Sequence, residues 1–327
     1  MTTILIVANP DDIHARIVQR ALERRGARVS FLHVARLAES ATLSLSVADR
    51  ARAWLCSPYG RMHLEDVDTV WYRRQGRPGI PESVMDPDDQ RFAQREWEQA
   101  LDGVMLTLPA RFINPVLAQR AAVKPRQLIM ARCVGLRVPD TLITSDPVEA
   151  AQFIDAHHGH VVHKVMSPPR HEFAATQSWR ERDREALSAV TIAPTLFQER
   201  IVGPADVRTT IIGEQVLSAR VASSADLVDS RLAMDAPWEA WQLPQDVVSK
   251  LRRLMVSLGL AFGTVDLKMT PEGDYVFFEV NPQGQFLYIE ILTGLPLSES
   301  VADFLVSGSP ESVPVAGEAH RPPAAPG

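Results

Sequence analysis

The stretch of sequence that decides the fold is FGTVDLKMTPEGDYVFFEVNPQGQ, residues 262–285. Two extended runs, 264–269 and 275–281, flank a turn with the sequence Pro-Glu-Gly-Asp, and this pattern predicts a β-hairpin. If the hairpin is centred in the middle of that turn, Asp266 pairs directly with Glu279 across the two strands. The hairpin would then place two carboxylates opposite each other.

Side chains alternate between the two faces of a strand, so Glu279 and Asn281 point the same way. The same alternation predicts that Tyr275 and Phe277 share that face. Facing carboxylates at Asp266 and Glu279 repel each other unless a cation lies between them. Because oxygen ligands of this kind suit Mg²⁺, we predict a magnesium site at Asp266, Glu279 and Asn281. The alternative is a solvated polar face of an edge hairpin.

Away from the hairpin, strand and helix patterns alternate along the chain. Apolar runs at 3–7 and 29–34 enclose a helix pattern at 13–24, and this succession predicts an α/β domain. A second hairpin is predicted within 207–221. Helix patterns occur at 88–106, where the aromatic residues Phe92 and Trp97 are predicted to lie in the core, and at 121–131.

Lys164 lies within the apolar run 161–166, which reads as a buried strand. Burial of an ammonium group without a partner is costly, so we expect Lys164 to meet an anion. The alternative is a lysine whose head group reaches solvent at the end of the strand. The neighbouring His163 should face the opposite side because strand side chains alternate.

Composition restricts the class of protein. The chain has 327 residues, 46% of them hydrophobic, which is enough for two or three domains with a core. A net charge of −6 with interspersed signs argues against a nucleic-acid partner. The short N-terminal apolar run and the lack of a long one argue against a signal peptide and a membrane partner, so we expect a cytoplasmic protein. Cys56 and Cys133 lack metal-ligand spacing and are expected to be inert, with Cys133 on an apolar helix face.

Five motifs occur in the order and spacing of an ATP-grasp domain. They are Lys124, Lys164, the segment 197–201, Asp266 and the string Phe-Glu-Val-Asn-Pro at 278–282. The chain therefore resembles the ATP-grasp superfamily. The resemblance implies that Lys124 and Lys164 contact the phosphates of ATP.

The same resemblance implies roles for further residues. Backbone groups of one segment would contact adenine, and this segment comprises Gln198, Glu199, Arg200 and Ile201. Asp206 is the candidate for the ribose. Asp266, Glu279 and Asn281 match the family's metal ligands, in agreement with the argument from strand periodicity.

Narrower features resemble the graspetide synthetases, the microviridin-type ATP-grasp maturases of ribosomal peptides. These features are the segments 70–74, 114–128, 138–144, 206–208, 229–231 and 281–285. Ser230 departs from the family pattern, in which an aromatic residue is more usual, and this bears on the acceptor pocket. The resemblance implies an ADP-forming ligase that phosphorylates Asp or Glu side chains of a precursor peptide. Attack by Thr, Ser or Lys would then form ester or amide macrocycles.

Cationic side chains are implied in this chemistry. Arg208 and Arg231, together with Lys164, are the candidates to stabilise the charge that develops on the phosphoryl and acyl oxygens. Arg73 and Arg74 end a strand of the first domain and could hold the acidic substrate. The alternative for the last two is a pair of surface charges.

The implied architecture is the ATP-grasp fold, an α/β fold with three domains. An N-terminal α/β domain would span 1–115, a central domain 116–200 and a C-terminal domain with the metal site 201–308. The central and C-terminal α+β domains would clasp ATP. The tail 309–327, rich in Pro, Ala and Gly, is predicted to be disordered.

Two other functions stay open at this stage. One is an ATP-grasp ligase that adds a free amino acid to a protein or small-molecule carboxylate, and the other is a non-catalytic ATP-binding regulator. For the preferred function the partner is a ribosomally made precursor with a leader and a core that contains acidic and Thr, Ser or Lys residues. Segments 167–185 and 207–221 are candidate leader surfaces, and a homodimer is a family expectation.

Overall fold

The computed structural model describes residues 1–9, 11–48, 52–57, 60–73, 76–166, 176–223 and 236–307. The chain divides into two compact units, one formed by residues 1–119, 259–261 and the part from 298 onward, the other by 120–258 and 262–297. No helix within the described ranges has the length and apolar character needed to cross a bilayer.

The first unit is an α/β domain, as the sequence predicts. Its elements are β1 (Thr3–Val7), α1 (Ile13–Arg24), β2 (Arg28–Leu32), α2 (Leu37–Ser40), β3 (Thr42–Ser46), β4 (Arg52–Ser57), β5 (Gly60–His63), β6 (Thr69–Tyr72), α3 (Pro87–Thr107), β7 (Arg111–Ile113), α4 (Val116–Ala121) and α9 (Leu297–Val306). A parallel sheet has the order β2-β1-β6-β7, and β3, β4 and β5 form a small antiparallel sheet. The carboxylate of Asp12 caps α1 by accepting hydrogen bonds from the amides of His14 and Ala15.

The second unit contains two antiparallel sheets. Its elements are α5 (Lys124–Cys133), β8 (Thr141–Thr144), α6 (Pro147–Ala156), β9 (Val161–Lys164), β10 (Gln177–Ser178), β11 (Thr195–Glu199), β12 (Ala205–Ile212), β13 (Gln215–Ala222), β14 (Glu239–Trp241), α7 (Gln245–Leu258), β15 (Phe262–Met269), β16 (Tyr275–Asn281) and α8 (Leu287–Thr293). The four-stranded sheet has the order β10-β9-β11-β8, and the five-stranded sheet has the order β14-β13-β12-β15-β16.

Both predicted hairpins are present. β12 and β13 pair along their whole length around a turn in which Gly213 has a φ of 57°, a conformation that glycine adopts without strain. β15 pairs with β16, and Asp266 lies opposite Glu279 as expected.

The predicted faces of β16 are wrong in part, because the strand contains a β-bulge. Leu267 pairs with Phe277, but Asp266 pairs with Glu279, so Phe278 is an extra residue between the two pairs. The bulge reverses the alternation. Phe277 and Tyr275 therefore project from the face opposite to Glu279, and not from the same face.

Two further expectations about packing are wrong. Cys133 is exposed, and so is Phe92 on α3, whose side chain is 58% exposed. Both residues were predicted to pack on the buried face of their helix, but in the structure their positions face solvent. The tail 309–327 and residues 167–175 of one candidate leader surface lie outside the described residues.

Candidate active site

One face of the five-stranded sheet collects charged and polar side chains from three neighbouring strands. Residues that pair directly across two strands project from the same face. The register pairs Arg208 with Asp266 and Asp266 with Glu279. From β12 to β16 this polar face carries Asp206, Arg208, Thr264, Asp266, Lys268, Glu279 and Asn281. The three residues predicted to bind the metal therefore share one surface.

Arg208 is held at two points on this face. One terminal nitrogen, Nη1, donates to Asp266 Oδ1 at 2.6 Å, and the other, Nη2, donates to the Gln285 carbonyl at 3.0 Å. The side chain is only 7% exposed, and its guanidinium carbon lies 5.7 Å from the centre of the Tyr288 ring. A planar group fixed in this way has a defined direction, which suits contact with phosphoryl or carboxylate oxygens.

Lys124, the first residue of α5, connects the two sheets of the second unit. Its Nζ lies 3.4 Å from Glu279 Oε2 and donates to the Val165 carbonyl at 3.1 Å. Val165 follows β9 and is adjacent to Lys164. The ammonium group thus lies between Lys164, predicted to bind phosphate, and Glu279, predicted to bind the metal.

Asp206, the predicted ribose contact, forms an ion pair within the polar face. Its Oδ1 lies 3.1 Å from Nζ of Lys268, which also donates to Ser223 Oγ at 2.8 Å. Both charged side chains are about nine-tenths buried. Lys268 was not singled out from the sequence. Only the register of β12 against β15 brings it opposite Asp206.

The loop that follows β16 lies tight against the sheet. Asn281 Oδ1 accepts a hydrogen bond from the Gln283 amide at 2.9 Å, and the Asn281 carbonyl accepts one from Gly284. A Cβ at position 284 would lie 2.1 Å from Thr264 Oγ1, so this close approach requires glycine. The loop geometry brings the Gln285 carbonyl to Arg208.

The donor set on the polar face fits a hard divalent cation in its chemistry. Asp266 and Glu279 are each about a quarter exposed, and Arg208 and Lys124 each offset the charge of one of them. No cluster of three or more His, Cys, Asp or Glu suited to a metal occurs within the described ranges. A cation here would use two carboxylates and one amide oxygen and would take its other ligands from phosphates and water, as Mg²⁺ does in nucleotide sites.

A polar row crosses the four-stranded sheet. Lys164 Nζ donates to Gln198 Oε1 at 3.0 Å, and Gln198 Nε2 donates to Thr141 Oγ1 at 3.0 Å. The ring of Phe278, the extra residue of the bulge, lies 5.0 Å from Lys164 Nζ. His163 pairs with Phe197 on the opposite face, as expected, and burial lowers its pKa.

Two amides of the predicted adenine segment already have partners. Glu199 N donates to the Asp140 carbonyl at 2.9 Å, and Arg200 N donates to the His160 carbonyl at 2.9 Å. These bonds fix the path of the chain as it leaves β11. Adenine would therefore have to use other backbone groups of the segment, with those of Ile201 as the next candidates.

Of the predicted substrate arginines, the structure describes Arg73, which follows β6 in the first unit. Arg73 is 1% exposed, and its Nε donates to Asp12 Oδ2 at 2.9 Å. Burial alone would raise the pKa of Asp12, but the charge and hydrogen bond of Arg73, together with the Ala15 amide and the charge of His14, lower it. Arg74 and Arg231 lie outside the described residues.

A family model and several solved structures are similar to this chain. The sequence profile of the MvdD pre-ATP grasp domain matches residues 3–120. The macrocyclase MdnC from Microcystis aeruginosa MRC, solved with the precursor peptide MdnA, is 26% identical, with a TM-score of 0.83 over 94% of this chain and 100% of that one. MdnB from the same organism is 28% identical, with a TM-score of 0.82 over 94% and 100%. No curated protein sequence matches the chain.

A third structure is a RiPP-associated ATP-grasp ligase from Chryseobacterium gregarium, solved with ADP and a leader and core peptide. It is 26% identical, with a TM-score of 0.86 over 96% of this chain and 100% of that one. These similarities confirm the predicted ATP-grasp fold and the resemblance to the graspetide synthetases, and they support an ADP-forming ligase that uses a nucleotide.

Proposed function

We infer that this chain, an ATP-grasp ligase related to the macrocyclases of ribosomal peptides, joins side chains within a ribosomally made precursor peptide at the expense of ATP. The observation that carries this inference is the polar face, where two carboxylates, an amide and Arg208 lie beside Lys124 within one compact unit. The relatives solved with precursor peptides supply the substrate class.

ATP would lie between the two sheets of the second unit. Lys124 and Lys164 would contact its phosphates, since Lys124 already touches Glu279 on one sheet and the carbonyl of Val165, the residue after Lys164, at the other. Adenine would contact the 198–201 segment, and Asp206 would contact the ribose by exchanging part of its interaction with Lys268.

The first chemical step would transfer the γ-phosphoryl group of ATP to a side-chain carboxylate oxygen of the peptide. ADP leaves and an acylphosphate forms. In the second step a hydroxyl or amine of the same peptide attacks the acyl carbon, the bond from that carbon to the phosphate oxygen breaks, and phosphate and a proton leave. Each ring therefore removes one water from the peptide.

Negative charge develops on phosphoryl and acyl oxygens during the two steps. Mg²⁺ bound by Asp266, Glu279 and Asn281 would supply charge neutralisation at the phosphates. Arg208, held by Asp266 and Gln285, would direct its guanidinium at the developing charge. Arg231 would assist it.

The precursor would bind through its leader, and its acidic core residue would approach the phosphate end of the nucleotide. We assign Arg73 and Arg74 to the holding of the acidic substrate. Because Arg73 already pairs with Asp12, its contribution would be to fix the chain leading to Arg74. Cytoplasmic location and a homodimer complete the proposal.

Intact mass of a candidate precursor, incubated with the protein, ATP and Mg²⁺, tests this function. Loss of one or more waters that requires ATP is the expected result, and Glu279→Gln serves as the matched control without turnover. A gain of mass by one amino acid would identify the rival ligase. Binding of ADP without ADP formation from ATP in the presence of any tested acidic peptide would identify the regulator. A gain of mass or this lack of turnover would overturn the proposal.

A further inference from the structure

A glutamine side chain on α5 forms hydrogen bonds with the backbone of β16, the strand that carries Glu279 and Asn281. Gln127 Nε2 donates to the Val280 carbonyl at 2.9 Å, and Gln127 Oε1 accepts from the Val280 amide at 2.9 Å. The same nitrogen donates to the Ala122 carbonyl at 2.6 Å. Gln127 is 3% exposed, so these bonds form away from solvent.

Among the described residues, this contact lies at an edge of the five-stranded sheet. β16 is an edge strand, so alternate backbone groups along it point away from β15 and need other partners. The side-chain amide of Gln127 offers one donor and one acceptor to Val280, as a neighbouring strand would. The Phe277 amide of the same strand also has a partner outside the sheet, because it donates to the Arg137 carbonyl at 2.8 Å.

These two contacts enclose the bulge at Phe278. A bulge is the place where one strand can slip against the other, and a slip of one residue moves each side chain to the opposite face of the sheet. Arg137 holds the backbone before the bulge and Gln127 holds it after. Val280 lies between Glu279 and Asn281, so a fixed Val280 fixes the direction of both neighbouring side chains.

We propose that Gln127 is a positioning residue that sets Glu279 and Asn281 for a divalent cation and the phosphates. This proposal rests on the proposed function, because it assigns the cation to that site. One helix would then supply both the ammonium group of Lys124 and the anchor for the ligands. Residues that orient metal ligands typically change metal affinity or activity by about 10–100-fold when mutated, and we expect a change in that range here.

Gln127→Met tests the proposal because it keeps the size of the side chain and removes both hydrogen bonds to Val280. The control is Arg126→Met, which removes a hydrogen bond from the same helix to the Ser257 carbonyl on α7. The first measurement follows the melting temperature in Mg²⁺ titrations at fixed ADP. The second measures kcat and the Mg²⁺ concentration for half-maximal ADP formation with the precursor.

We expect Gln127→Met to raise the half-maximal Mg²⁺ concentration by about 10-fold or more in both measurements, with partial recovery of kcat at high Mg²⁺. Arg126→Met should leave that concentration unchanged. An equal Mg²⁺ requirement in Gln127→Met and the wild type would overturn the proposal. A wild-type protein that forms no ADP, yet shows the same Mg²⁺ difference in the melting experiment, would instead count against the proposed function alone.

Gln127→Glu provides a second variant if Gln127→Met does not fold. A protonated carboxyl group has one donor and one acceptor and can reproduce the contact with Val280, whereas the ionised form has no donor. At each pH, the half-maximal Mg²⁺ concentration of Gln127→Glu is divided by that of the wild type. This ratio should approach one as pH falls and should rise with pH. A ratio independent of pH, or failure of both variants to fold, would make Gln127 a residue of general stability and overturn its positioning role.

Discussion

Replacement of Glu279 by glutamine should abolish turnover while leaving the fold almost unchanged. Lys124 Nζ lies 3.4 Å from Glu279 Oε2, and their side chains are 27% and 23% exposed. With an effective dielectric constant of about 20, that pair gains roughly 5 kcal/mol before desolvation. The carboxylate of Asp266, which lies opposite Glu279 across the two strands, repels it and offsets part of that gain. Desolvation of the charge reduces the remainder further, so the variant should lose about 1 kcal/mol or less.

The catalytic loss should be much larger than the loss in stability. A ligand to the cation that neutralises the phosphates is missing in Glu279→Gln, and we expect ADP formation to fall by more than about 100-fold. Thermal unfolding and a coupled assay for ADP, with precursor present, measure the two effects on the same preparation. Retention of a tenth or more of the wild-type rate would refute the metal assignment. A fall of the melting temperature by more than about 10 °C would refute the charge estimate.

Three further outcomes are expected. Arg208→Lys keeps the charge but cannot reach both Asp266 and the loop carbonyl, so ADP formation should fall by about 10–100-fold; an unchanged rate would contradict the two-point role. Asp12→Asn removes a charge partner of buried Arg73 and should cost up to about 3–5 kcal/mol at pH 7 in urea unfolding. The folded pKa of Asp12 is lowered from 3.8, so this difference should be complete above about pH 5 and shrink as pH falls below 3.8; a constant difference would argue against the ion pair. Gly284→Ala forces a Cβ to within 2.1 Å of a side-chain oxygen and should lower both melting temperature and turnover, whereas equal values would show that the loop can shift.

The hairpin shows how far sequence reasoning reached. Composition and turn residues were sufficient to predict two strands and the opposition of Asp266 and Glu279. The register was nevertheless right through two compensating errors. The turn is centred one half-residue earlier than assumed, and the bulge at Phe278 restores the pairing. Bulges depend on packing against other elements, here Lys164 and the partners of Phe277, and these are not visible in local periodicity.

Long-range pairings account for what the sequence could not supply. The Asp206–Lys268 ion pair depends on the register of two strands that are some 60 residues apart in the chain. Gln127 appeared only as part of a motif, and its grip on Val280 requires the packing of α5 against the sheet edge. Lys164 was expected to meet an anion, and this stays a prediction; among its neighbours are the side-chain amide of Gln198 and the ring of Phe278. The roles assigned to these residues in catalysis stay predictions.

The bulge at Phe278 also has a consequence for protein engineering. If the hairpin were transferred to another scaffold, the strand with Glu279 would need one more residue between the turn and its carboxylate than the strand with Asp266. Deletion of Phe278 would give a regular ladder that still opposes the carboxylates, since the numbering then matches an uninterrupted hairpin. The removed ring is the one that lies over Lys164. Deletion at this single position thus offers a way to change the surroundings of Lys164 without changing the opposition of Asp266 and Glu279.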